Sequence, residues 1–272
     1  MEIVYPSQEK GKAIYPMQIF AAGLKLWRKN FFTLGGIYLL IYLPVIAVNI
    51  ALFIKYTDGT NALPLPVVLA AFAVDMLAGA WMAVTLTLAV SKMAKDIKTG
   101  VMENLKDAGG RFLLYLGTMA LFFLLIWSIA MAGMLIAALL GGTVVSINKI
   151  WGAIVMLIAA IPPACALVYF IIRLSLGGVV CILEKKRPIA SLKESHALVK
   201  NYVTPVVGEY FLMILVSIFV LVPLLFLVAI MKNTAQPDIL PRIYQYIAGI
   251  FFVPFATCVY IVLYNKLKEA TA

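Results

Sequence analysis

The chain has 272 residues, 64% of them hydrophobic and only 12% charged, with a mean hydropathy of +1.03. Soluble domains carry roughly a quarter charged residues, so this balance excludes a soluble globular enzyme, a disordered tail and a secreted disulfide scaffold, and leaves a polytopic membrane protein. In such a protein the net charge of +10, from 22 Lys and Arg against 12 Asp and Glu, reports orientation and contact with anionic lipid rather than nucleic acid.

The first thirty residues mix Lys10, Lys12, Lys25, Arg28 and Lys29 without an early apolar run. No cleavable signal peptide is read there, and insertion falls to the first transmembrane helix. Met17–Trp27 has apolar residues at helical spacing and reads as an amphipathic helix at the membrane surface. Arg28-Lys29-Asn30-Phe31 then leads into a first span over Phe31–Phe53, and a second follows over Pro66–Val90. Runs of about 20 apolar residues span a bilayer, and helices are the only open-chain solution there, because lipid offers no partner to an unsatisfied backbone group. A second surface helix is read at Val101–Ala108, followed by Arg111-Phe112 and spans over Phe112–Leu140 and Trp151–Ile182. A third, Ile189–Val199, precedes Lys200-Asn201-Tyr202 and spans over Tyr202–Ile230 and Ile243–Tyr264. The basic groups can snorkel to headgroups while the rings sit at the interface.

The expected fold is therefore an all-α integral membrane domain covering residues 1–272. Six transmembrane helices form three hairpins, each preceded by a cytoplasmic amphipathic surface helix. The layout suggests a repeat over 15–92, 100–184 and 187–268, with Asn104-Leu-Lys-Asp-Ala108 set against Ser191-Leu-Lys-Glu-Ser195; the alternative is that these are the basic amphipathic connectors any polytopic protein with a cytoplasmic N-terminus carries. Lys and Arg number 17 on one side of this topology and 4 on the other, with Arg173 inside a span. That bias places both termini in the cytoplasm and the chain in the cytoplasmic (inner) membrane.

Ionisable groups within spans are functional candidates, because each is costly unless paired or hydrated. Asp75 lies roughly 13 Å from the outer end of the second span at 1.5 Å per residue. It falls on a stripe of small and polar residues, Ala71, Asp75, Gly79, Ala83, Thr87 and Ser91. Either it serves a proton or substrate in a polar cavity, or it is hydrogen-bonded within a helix interface. Arg173 lies roughly 16 Å and Glu209 roughly 12 Å from the cytoplasmic ends of their helices. These depths suit an ion pair between spans four and five, with Tyr169, one turn before Arg173, sharing its hydrogen bonds. A site for an anionic headgroup or carboxylate is the alternative. Pro162-Pro163, Pro205, Pro223 and Pro254 interrupt later spans, and Gly133, Ala137 and Gly141 form a small-residue packing ridge.

Cys165, Cys181 and Cys258 lie in apolar stretches and read as buried free thiols. With His196 the only histidine, no metal site is expected, and no cofactor. His196 adjoins Ser195 and is near Ser191, but neighbours on a helix point in different directions, so no nucleophile–base pair is expected and the chain is read as a non-enzyme.

Arg173-Leu-Ser-Leu-Gly-Gly-Val-Val-Cys-Ile-Leu-Glu184 and the following Leu192-Lys-Glu-Ser-His-Ala-Leu198-Val-Lys200 carry a family likeness. This stretch resembles the integral membrane domain found beside some glycerophosphodiester phosphodiesterases and its stand-alone YciC-like relatives. The positions that match are Arg173, Glu184, Leu192, Ser195, Leu198 and Lys200; the ending from Pro254 to Lys268 is also similar to the last span of the family. The resemblance implies six helices with cytoplasmic surface helices, and not the phosphodiesterase activity, which belongs to a separate soluble domain. His196 stands where the family favours a bulky aromatic, and Asn201 where it favours Gly; both departures touch packing.

Two functions fit. The first is a non-enzymatic membrane protein that binds anionic lipid, a protein partner or a second copy of itself, as a scaffold, assembly factor or accessory subunit. The second is a small transporter using Asp75 and Arg173. A nucleic-acid partner is not expected.

Overall fold

The computed structural model describes residues 14–56, 64–145, 148–231 and 239–271. Lys10, Lys12 and Lys232, counted in the orientation argument, lie outside the described residues. The chain is an all-α polytopic membrane protein: among the described residues there is no strand, and six helices are long and apolar enough to cross a membrane. Side chains such as Phe32 and Phe219, 88% and 83% exposed, face outward as lipid-facing residues do, since hydrocarbon exacts no cost for apolar surface.

The chain divides into two compact units, residues 1–113 with 204–272, and residues 114–203.

The larger unit is organised around its last helix. α1 (Pro16–Lys29) starts with Pro16 in its first turn and ends at Asn30. It buries Ile19, Gly23 and Leu26, positions four and three apart that fall on one face. That face lies on α9 (Ile239–Thr271), where Cys258, Val259, Ile261, Val262, Leu263 and Leu267 are buried. A Cβ at Gly23 would stand 2.9 Å from the Val259 backbone, so only glycine allows the two helices to approach this closely. Phe20 and Trp27 pack edge-on against Phe255. α2 (Phe31–Tyr56) and α3 (Leu65–Ala94) pack on each other and both on α9. The stripe from Ala71 to Ser91 is buried or half-buried along its whole length, as its small residues suggest.

α4 (Val101–Val145) corrects one expectation. The second surface helix, Val101–Ala108, is not a separate element but the first two turns of a 45-residue helix. At 1.5 Å per residue this helix is about 68 Å long, well beyond the roughly 30 Å of a hydrocarbon core. Gly109-Gly110 weakens a helix without stopping it, and Trp81 of α3 lies against Gly109 and Phe112 across the weak point. Before it, Lys92 binds both Glu103 (2.6 Å) and Asp107 (2.8 Å), and Lys29 binds Asp96 (2.7 Å). Asp96 closes α3 in the left-handed region, φ 55°, which a short polar side chain tolerates.

In the smaller unit, α4 runs beside α5 (Lys149–Leu174), and the glycine ridge serves as expected: Gly133 lies against Pro163 and Gly141 against Met156. Asn148 caps α5, its Oδ1 accepting from the Ile150 and Trp151 N–H groups at 2.9 and 3.3 Å. Span four is interrupted, but not at Pro162-Pro163, which α5 accommodates. The break comes at Ser175-Leu176, after which α6 (Gly177–Glu184) continues to a left-handed Lys185, φ 53°. α7 (Pro188–Lys200) then folds back on α5 and α6 and ends at Asn201 with φ −96°. That is an ordinary conformation, so nothing there requires glycine. α8 (Val203–Met231) returns to the larger unit, its Gly208 against Pro16 of α1. Pro205 sits in its first turn and Pro223 inside it, as Pro254 sits inside α9, without ending either helix.

Candidate functional site

Asp75 stands on α3 at the centre of a polar cluster drawn from three helices of the larger unit. The Asn49 amide of α2 donates to Asp75 Oδ1 at 3.1 Å and Oδ2 at 3.4 Å, and to the Tyr246 hydroxyl of α9 at 3.0 Å. Asn49 is 7% exposed. Tyr38 and Tyr42 lie on the same face of α2, their rings stacked 5.0 Å apart. The Tyr42 hydroxyl lies beside Gly79, one turn from Asp75, and Tyr38 packs over Gly249 of α9. The cluster therefore owes its room to two glycines and its polarity to side chains that arrive from distant parts of the chain. Among the described residues, Asp75 is held by a side-chain amide and by neither a threonine nor a backbone group. Asn49, Tyr42 and Tyr246 were missed as site residues. The signal for Asn49 was available: an amide inside an apolar run, seven residues from Tyr42 and eleven from Tyr38, at helical spacing.

Arg173 and Glu209 belong to different compact units. Glu209 is 0% exposed, and both its carboxylate oxygens lack a hydrogen-bond partner. Nε and Nη1 of Arg173 are likewise buried without one. The contacts that Arg173 makes within its own unit are local. The break after Leu174 places it in the last turn of α5, where carbonyl groups at the negative end of the helix dipole favour a cation. Its guanidinium lies 5.0 Å from the centroid of the Tyr169 ring. Tyr169 thus presents its ring face to Arg173, where a shared hydrogen bond was expected. The Tyr169 ring in turn meets His196 of α7 at 6.3 Å, edge-on, so His196 occupies the place of an aromatic.

Ser195 locks this corner. Its hydroxyl donates to the Arg173 carbonyl at 2.9 Å and accepts from the Leu176 N–H at 3.1 Å. A helix broken inside an apolar segment leaves orphan backbone groups, and a serine from the next element satisfies one on each side of the break. Ser191 donates to the Pro188 carbonyl at 2.7 Å. Both serine hydroxyls are thereby bound to backbone on the buried face of α7, while His196 lies on another. Lys186 binds Glu184 at 2.7 Å and also Glu194; Lys200 is exposed.

Between α4, α5 and α7 lies a groove of about 500 Å³. Leu121 and Leu124 of α4, Phe170 of α5 and Leu192 of α7 line it, and its polar lining side chains are Ser128, Lys193 and His196. A second, polar cavity of about 300 Å³ is lined by Lys29, Asn30 and Asp96 among others. Cys181 and Cys258 are buried, but Cys165 is exposed, which corrects the expectation for that thiol. Among the described residues no group of three His, Cys, Asp or Glu could hold a metal ion. Comparison with protein-family models, curated proteins and solved structures finds no match to the chain.

Proposed function

We propose that this is a non-enzymatic protein of the cytoplasmic membrane, both termini inside, that binds lipid or protein partners through its surface helices. The likeness of Arg173–Lys200 to the YciC-like membrane proteins agrees with that reading and names no ligand. The observation that carries it is the construction of α1 and α7. Each is a separate helix docked by one buried face, Ile19, Gly23 and Leu26 in α1 and Ser191, Ser195 and Leu198 in α7. Each leaves cations exposed, Lys25, Arg28 and Lys29 on one, Lys193 and Lys200 on the other. Helices so built lie in the interface and are drawn to anionic headgroups or acidic partners.

Native mass spectrometry after gentle extraction tests this. The expected result is a stoichiometric protein partner or a retained anionic lipid; a bare chain with neither sinks the proposal. A transport reading draws on one specific observation, the Asp75–Asn49–Tyr246 cluster inside the helices. It requires that Asp75→Asn abolish proton-coupled flux in vesicles, and unchanged flux removes it.

A further inference from the structure

α7 has two faces. One carries Ser191, Ser195, Leu198 and Val199 and is buried. The other carries Ile189, Leu192, Lys193 and His196 and forms a wall of the groove. Gly117 of α4 lies against Pro188, and Thr118 Oγ1 lies 3.5 Å from Ser191 Oγ, so α4 passes the start of α7 at that point. From there the groove follows α4 through Leu121 and Leu124 to Ser128, about 15 Å from Thr118 at 1.5 Å per residue. Ser128 turns its hydroxyl back to the Leu124 carbonyl at 2.7 Å, so that end of the groove offers apolar surface. The polar end belongs to α7. Lys193 and His196 are three residues apart, neighbours on the helix surface roughly 5–6 Å from each other.

The charge at that end is uncompensated. No acidic side chain lines the groove. The two acids beside it in sequence, Glu184 and Glu194, are both bound by Lys186. Lys193 is exposed and makes no ion pair among the described residues, whereas Lys29, Lys92, Lys186 and Lys266 each have one. One end cationic, the other apolar and elongated, at a volume typical of ligand clefts, is the complement of an anionic amphiphile.

We infer that this groove holds one anionic phospholipid, its phosphate between Lys193 and His196 and one acyl chain along Leu121, Leu124 and Phe170. The inference rests on the lipid-binding reading above and gives it a ligand class and a place. The apolar walls hold the chain, Lys193 selects the headgroup by its charge, and the His196 ring offers a polar nitrogen beside it.

The test uses the full-length chain in vesicles of equal phosphatidylglycerol and phosphatidylcholine with matched acyl chains, extracted and read by native mass spectrometry. The wild type should retain phosphatidylglycerol in about fivefold excess, the discrimination one lysine near an anionic surface supplies. Lys193→Gln with His196→Gln should abolish the preference while some lipid is kept. Leu124→Trp, which fills the apolar end, should lose the bound lipid. A photoreactive acyl chain should crosslink within residues 121–128 and 170–174. Equal retention of both lipids by the wild type overturns the inference. So does a preference that survives the double variant; this places selection elsewhere and leaves the broader reading intact. Crosslinks in the groove to a co-purified protein in place of lipid also overturn it. If no variant retains any lipid or partner, the broader reading itself falls.

Discussion

Asp75 and Glu209 are both carboxyl groups inside apolar helices, yet the structure treats them differently. Asp75 receives the Asn49 amide; Glu209 receives nothing. Opposite mutational signs follow. Asn49→Leu should destabilise the protein by about 1–3 kcal/mol, because it strands the carboxyl and the Tyr246 hydroxyl together. Glu209→Met should stabilise it by about 1–3 kcal/mol, because a buried unpartnered polar group is a cost that an apolar replacement removes. Thermal unfolding in one detergent reads both, and a Glu209→Met variant that melts earlier refutes the second. Ser195→Ala should cost about 1–3 kcal/mol by leaving the Leu176 N–H buried and unpaired. Ser191→Ala, which loses a bond to its own helix and a long 3.5 Å contact with the Thr118 hydroxyl but strands no backbone N–H, should cost less. At this scale the sequence exposed the chemistry-bearing residues and not their partners. Asp75, Arg173 and Glu209 stand out because charge in an apolar run is rare, and Tyr169 because it lies one turn before Arg173. The amide that meets Asp75 comes from 26 residues away and the hydroxyl from 197 residues beyond Asn49, separations that no local pattern records.

The helices themselves were legible because lipid requires long apolar runs, and the six spans agree with the expected ones to within a few residues at most ends. Interruptions were harder. Prolines suggested a break at Pro162-Pro163, yet α5 absorbs them; the break at Ser175-Leu176 exists because Ser195 of another element satisfies its orphan groups. The second surface helix was expected to end at Ala108, yet α4 runs on through Gly109-Gly110 with Trp81 and Phe112 packed across it. α1 shows the same dependence in reverse. Its amphipathic spacing is plain, but that its apolar face meets α9 depends on Gly23. Gly23→Leu should lift α1 from α9, seen as faster proteolysis within residues 14–29 while α2 to α9 stay protected. Unchanged protection would mean that the aromatic contacts of Phe20 and Trp27 hold the helix unaided.

For the whole molecule, the distribution of Lys and Arg makes a sharp topological prediction. A single cysteine at Lys98, in an otherwise cysteine-free chain, should react with a membrane-impermeant maleimide only from the cytoplasmic side. One at Lys149 should react only from the outside. Reversed labelling would overturn the orientation, and labelling of both from one side would overturn the six-span count. Composition and charge determined the membrane, the number of helices and their expected direction, because transfer into hydrocarbon and attraction to anionic headgroups act on each segment alone. Only the tertiary structure decided that the first surface helix rests on the last span and that the second merges with its span. It also decided that Asp75 has an amide partner and that Ser195 binds the Arg173 carbonyl. Those outcomes turn on close approach at particular glycines and on satisfying particular backbone groups, and each requires residues that meet only after the chain has folded.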